Sequence, residues 1–104
     1  MPVTTLNGHE IHVNEEGFLT DPTEWDDDLA NALAAQIGIT LTDAHWKAIR
    51  FLRTDFAAQG ETATLRRVST VGDIPIKELF VLFPQKPAKK MSYVAGLPKP
   101  HGCV

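Results

Sequence analysis

Cys103 is the one cysteine of a 104-residue chain and stands next to its last residue. A lone thiol cannot close an internal disulfide. Its chemistry is that of a free nucleophile, whose thiolate attacks sulfane sulfur and holds it as a persulfide. The residues before it favour reach. GLPKPHGCV places Gly96, Pro98, Pro100 and Gly102 within nine positions, which forbids a helix and favours an extended arm. From Leu97 to Val104, at roughly 3.1 Å per residue, such an arm spans about 25 Å. Pro98 and Pro100 stiffen its base, and Gly96 and Gly102 provide pivots. Lys99 and His101 supply cations that favour a thiolate, while the carboxylate of Val104 opposes them. The same cysteine also reads as an incidental small residue near a frayed end. Tail composition alone leaves both readings open.

The other groups with chemical potential are weaker. His9, His12, His45 and His101 are the four histidines, and only the first two lie close together. Three apart on a strand, His9 and His12 face opposite sides of a sheet, so no metal site is expected and no cofactor is implied. The net charge is −3, with acids gathered early (Glu15, Glu16, Asp21, Glu24, Asp26–Asp28) and a basic stretch from Lys77 onward. That balance makes direct nucleic-acid binding unlikely chemistry for the chain, although its basic third can dock on an acidic partner. No apolar run approaches the roughly 20 residues of a membrane span, and MPVTTLNGHEIHV has neither half of a secretory signal. Without internal disulfides, the expected location is cytoplasmic.

The elements that must position the thiol are mainly helical. Asn7-Gly8 is a two-residue turn signal between strands over 3–6 and 9–13. Thr23 reads as the cap of a first helix over 24–37, with Trp25, Leu29, Leu33 and Ile37 on one stripe and Gly38 ending it. Thr42 caps a helix over 43–58, with Trp46, Ile49, Leu52 and Phe56 on one side and Gly60 at its end. Thr62 or Thr64 opens a shorter helix to Val71. Pro75 starts a fourth, stopped by Pro84, and PAKKMSYVA reads as a fifth over 87–95. The expected fold is mainly α: a small helical bundle with an N-terminal β-hairpin over residues 1–95, and a flexible C-terminal arm over 96–104.

The ending GLPKPHGCV closely resembles that of the DsrC/TusE family of sulfur-carrier proteins. GHEIHVNEEGFLTDPTEW, GITLTDAHWKAIRFLR, LRRV and LFVLFPQKPAKK extend the resemblance over nearly the whole chain. The resemblance implies a sulfurtransferase-type carrier without a catalytic dyad of its own. In such a relay Cys103 receives sulfur from a donor protein and passes it to an acceptor protein. One branch, the gamma subunit of dissimilatory sulfite reductase, carries a second arm cysteine eleven residues earlier; here that position is Ser92. The redox cycle of that branch is therefore not expected. A single cysteine is more like the tRNA-thiolation branch, although the segment between Arg67 and Phe80 is shorter here.

The resemblance also places Arg66 and Arg67 near the arm, as candidate contacts for it or for a persulfide, against the plainer reading of a solvated pair. Trp25 and Trp46 read as core anchors, His45 as a structural helix-end histidine, and Lys89-Lys90 as a solvated face or docking patch. An alternative function is a regulatory or DNA-binding helix-turn-helix-like module, with Arg66 and Arg67 as base readers.

Overall fold

Asp26 ends the extended stretch that carries Trp25, and this decides how the first helix begins. A computed structural model describes residues 3–6 and 8–99 of the chain. Pro22–Glu24 forms a separate 3-10 turn, capped by Asp21, whose side chain accepts from the Thr23 N–H at 3.0 Å. Trp25 is extended (φ −82°, ψ 142°), and helix α1 runs Asp27–Gln36 with the Asp26 carboxylate accepting from the Leu29 N–H. The helix expected over 24–37 with a Thr23 cap is thus two pieces. Aspartates at two successive cap positions outcompete the single continuous stripe. Trp25 therefore lies outside the helix, yet it still packs against the cluster that holds Leu29 and Leu33.

Strands β1 (Val3–Leu6) and β2 (His9–His12) pair antiparallel from Leu6↔His9 to Val3↔His12. Gly8 takes the left-handed φ of 83° that the two-residue loop requires; Asn7 lies outside the described residues. The second strand ends one residue sooner than expected, and Val13 instead makes an isolated bridge to Leu19. Ile11, Val13 and Leu19 then bury against Leu29 and Leu33, closing a small cluster over α1.

Helix α2 (Asp43–Gln59) begins after Thr42 and ends at Gly60, left-handed at φ 76°. Helices α3 (Leu65–Thr70), α4 (Ile76–Leu82) and α5 (Pro87–Val94) follow. Thr64, not Thr62, caps α3, accepting from the Arg67 N–H. Ala48, Ile49 and Leu52 of α2 meet Val68, Leu79, Phe83, Met91 and Val94 in the main core, with Trp46 and Phe56 at its edge. The core extends past α5 to Ala95 and Leu97, which are 0% and 1% exposed. Among the described residues no helix is long and apolar enough to cross a membrane.

His45 holds the start of α2 to the end of α4. Its Nδ1 accepts from the Thr42 N–H at 3.0 Å, which leaves the proton on Nε2 to donate to the Leu82 carbonyl at 2.8 Å. The ring also meets Phe83 edge-on at 5.1 Å. Replacing it with alanine leaves a helix-start N–H and a half-buried carbonyl unpaired. His45→Ala is expected to cost about 2–3 kcal/mol in urea unfolding. A loss under about 0.5 kcal/mol, the level of an ordinary surface change, would refute this role.

Candidate functional site at the root of the arm

Cys103, with Pro100, His101 and Gly102, lies outside the described residues; Gly96, Leu97, Pro98 and Lys99 are described. These four are fastened to the body one after another. Gly96 is left-handed (φ 70°) and its N–H donates to the Tyr93 carbonyl, while the Leu97 N–H donates to Ser92 at 3.1 Å. Gly96 also lies directly on the indole of Trp25.

Trp25 is held from two sides. Its Nε1–H donates to the Val94 carbonyl at 2.8 Å, and the Arg53 guanidinium stacks over the ring at 4.1 Å. The same guanidinium donates from Nη1 to Ala95 (2.7 Å) and from Nη2 to Pro22 (2.9 Å). One arginine of α2 therefore ties the 3-10 turn to the arm root. Burial pushes its pKa down, but an arginine has ample margin to remain charged. Arg53→Lys keeps the charge and loses the fork, so one charge-assisted bond disappears. The expected cost is about 2 kcal/mol by urea unfolding, and an unchanged midpoint would show that the fork is dispensable.

Pro98 and Lys99 each bond to a residue that lines a hollow. The Thr62 hydroxyl donates to the Pro98 carbonyl at 2.7 Å, and Thr62 lines a polar cavity of about 240 Å³ with Asp55, Glu61 and Arg67. Lys99 donates to Glu16 at 3.1 Å, and Glu16 lines a second hollow of about 390 Å³. Lys89 approaches the same carboxylate at 3.7 Å.

The two arginines singled out from the sequence are placed differently. Arg67 binds Asp55 bidentately, Nε to Oδ2 at 2.9 Å and Nη2 to Oδ1 at 2.7 Å. That partner raises the Arg67 pKa further. Arg66 is exposed on α3. Among the described residues neither bonds to residues 96–99. Thr62 bonds to Pro98, Glu16 to Lys99 and Trp25 lies against Gly96, while Arg53 holds Ala95 just ahead of them. Nothing in the sequence marked Arg53 or Thr62 as arm partners, because the pairings span 42 and 36 residues.

Ser92 stands eleven residues before Cys103. It is fully buried, and its hydroxyl donates to the Ala88 carbonyl one turn back at 2.7 Å. Among the described residues no group of three or more His, Cys, Asp or Glu converges on a metal-sized site. His12 ties the hairpin to the 3-10 turn: its backbone N–H donates to Glu24 at 2.8 Å and its Nδ1 lies 2.6 Å from the other oxygen.

The arm root carries a pH dependence of definite sign. The hydrogen bond and charge of Lys99, with help from Lys89, hold the Glu16 carboxyl below the usual glutamate range. A depressed folded-state pKa contributes stability above the unfolded value and loses it as pH falls through the folded one. The Lys99 tether is therefore intact at neutral pH and released in acid. Carboxyl carbon shifts should titrate below about 4.3 for Glu16 and move up in Lys99→Gln; an unmoved midpoint would refute the tether.

The family model described as "DsrC like protein" matches residues 5–104. A sulfurtransferase TusE of Sodalis glossinidius is 37% identical over 106 residues, covering 95% of this chain and 98% of that protein. Among solved structures, the crystal structure of dissimilatory sulfite reductase I superposes with a TM-score of 0.85 at 34% identity, covering 99% of this chain and 100% of the other. The oxidized gamma subunit of the dissimilatory sulfite reductase of Archaeoglobus fulgidus gives 0.78 at 39% identity, with coverages of 99% and 100%.

Proposed function

This chain belongs to the DsrC-like protein family, and from that premise we propose that it is a one-thiol sulfur carrier with Cys103 as the carrying residue. The observation that carries the proposal is the fastening of residues 96–99 to the body directly ahead of the lone thiol. A carrier must present its cargo at a defined place, and a root fixed to the body does so at little entropic cost.

The chemistry needs no outside oxidant. The Cys103 thiol gives its proton to solvent or to a base in the partner. Its thiolate then attacks the terminal sulfur of a donor persulfide. A new S–S bond forms at Cys103 as the donor's S–S bond breaks, and the donor thiolate leaves with the electron pair. The same exchange in reverse hands the sulfur to an acceptor. With one cysteine in the chain, no internal disulfide competes.

Packing of the root shortens the arm. Leu97 is buried and Lys99 is tethered, so four residues separate the last described contact from Cys103, at most about 12 Å at roughly 3.1 Å each, whereas the 25 Å expected from Leu97 counts residues that are packed. Gly96 acts as a fixed bend and Pro98 and Lys99 as anchors; Pro100 and Gly102, the rest of the expected arm, lie outside the described residues. Donor and acceptor proteins must both dock close to the root. A cytoplasmic location fits a thiol kept reduced.

The DNA-reading alternative is disfavoured. Helix α3 has six residues, under two turns, which is short for a recognition helix, and Arg67 is already engaged by Asp55. The relatives named above are a sulfurtransferase and sulfite reductase components. The test is to incubate the chain with polysulfide and read the intact mass. An added sulfur atom, mapped by fragmentation to Cys103 and passed on to a thiol acceptor, is expected. Failure to load at any polysulfide concentration would remove the proposal.

A further inference from the structure

Phe18, Ile37 and Tyr93 line the hollow of about 390 Å³ beside the arm root, with Lys86, Lys89 and Lys90 around them. Phe18 is buried and meets Tyr93 edge-on at 6.0 Å, while Ile37 and Tyr93 are half-exposed. The hollow thus joins an apolar, aromatic surface to a cationic border.

The charge is poorly compensated. Lys90 donates to the Pro84 carbonyl at 2.6 Å, which satisfies a donor but neutralises nothing. Lys86 has no polar side-chain partner among the described residues. Among the described residues Glu16 is the sole acid lining the hollow, and it is shared between Lys89 and Lys99. A chain of net charge −3 therefore carries its sign reversal here. The three lysines also crowd the start of α5, where the first turn holds no acid and the helix dipole is itself positive. Like charges in that place weaken the helix, and an arriving anion relieves the repulsion.

We infer that this hollow is a docking surface for an acidic segment of a partner protein, one that seats an aromatic or aliphatic side chain among Phe18, Ile37 and Tyr93 and sets carboxylates against Lys86, Lys89 and Lys90. The inference rests on the carrier reading in one respect: a reach of about 12 Å requires the partner to bind beside the root. Glu16 belongs to the hollow, approaches Lys89 and also tethers Lys99, so a docked carboxylate that takes Lys89 competes with Glu16 for that lysine and leaves Glu16 to Lys99. Docking and the tether at Lys99 are coupled through that one carboxylate. Protein is favoured over nucleic acid because the cationic border surrounds a partly buried apolar surface of side-chain size. A basic stripe tracking a phosphate backbone is a different arrangement.

The test is a titration of the isotope-labelled full chain, followed by amide shifts. The probe is a capped peptide of Asp and Glu around a central Phe-Leu pair. Saturable shifts of Phe18, Ile37, Lys89 and Tyr93 are expected. Affinity should fall about tenfold in the combined Lys86→Glu and Lys90→Glu chain, and should also fall with added salt. The variant should fold: it loses the exposed bond from Lys90 to Pro84 but removes like positive charge from a helix start that acids suit, so its melting temperature should move little. Replacing Phe-Leu by Ser-Ser in the peptide should weaken binding. No shift at about 1 mM peptide, where even a weak site is occupied, would overturn the inference. So would stronger shifts of the same amides with a single-stranded oligouridylate, which would assign the surface to nucleic acid. Concentration-dependent shifts of these amides in the free protein would assign the hollow to a second copy. The titration repeated on Cys103→Ser should be unchanged. Docking and sulfur loading are thereby tested separately.

Discussion

Cys103→Ser abolishes sulfur loading completely and leaves the fold in place. A hydroxyl is not a nucleophile toward sulfane sulfur at neutral pH, and the chain holds no other thiol to take over. The core is closed by residues up to Leu97, so the melting temperature should move by no more than an ordinary surface substitution allows, within about 0.5 kcal/mol. Intact mass after polysulfide treatment should show only the parent species. Persistence of an adduct in the serine chain would place the sulfur on some other group and end the carrier proposal. A large fall in stability would instead make Cys103 a packing residue.

Gly96→Ala has the opposite profile, a large loss of stability at a residue with no chemistry of its own. A Cβ at Gly96 would lie 2.4 Å from Cδ1, 2.8 Å from Cγ and 2.9 Å from Cβ of Trp25. The indole is not free to retreat. Its Nε1–H is bonded to Val94, Arg53 covers one face, and Arg53 is itself bonded to Ala95 and Pro22. The φ of 70° adds the strain of a left-handed alanine, about 1–2 kcal/mol, to an overpacking cost of about 1–3 kcal/mol. The expected total is about 2–5 kcal/mol, or a fall in melting temperature of about 10 °C or more. A double-mutant cycle separates the two causes: in a Trp25→Ala background the contacts with Cδ1 and Cγ are gone, and the backbone strain of about 1–2 kcal/mol remains together with the 2.9 Å approach to Cβ of residue 25, so the cost of Gly96→Ala should fall. Equal costs in both backgrounds would show that the close approach to Trp25 does not matter.

The two variants together distinguish what the arm carries from what holds it. Cys103→Ser leaves a well-placed arm with nothing to deliver. Gly96→Ala leaves an intact thiol on a displaced root, so loading by small polysulfide survives better than transfer to an acceptor protein.

Local chemistry was enough to read much of this protein from its residues. Thr42 and Gly60 bracket α2 because an N-cap hydroxyl residue and a left-handed glycine act within one turn of the chain. Asn7-Gly8 implies the hairpin for the same reason. The tail's prolines, glycines and single thiol could be recognised because a chemical group declares itself by type, whatever surrounds it. Where several local signals competed, reading failed by small margins: Asp21 and Asp26 each cap a turn, and the helix expected from residue 24 starts at Asp27.

Only the tertiary structure decided where the arm begins and what holds it. Leu97 looks like the first residue of a flexible tail, yet it is among the most buried in the chain, because burial depends on neighbours brought from α2 and α5. In IKELFVLF, Leu79 and Phe83 are buried while Phe80 and Val81 stay exposed, a choice that hydrophobicity alone does not make. Arg66 and Arg67 are adjacent and chemically alike, but Asp55 on the neighbouring helix pairs with one and leaves the other in solvent. Arg53, Thr62 and Glu16 reach the arm root over separations of 42, 36 and 83 residues. Periodicity and capping report on interactions within a few residues; contacts over such distances exist only once the chain has packed.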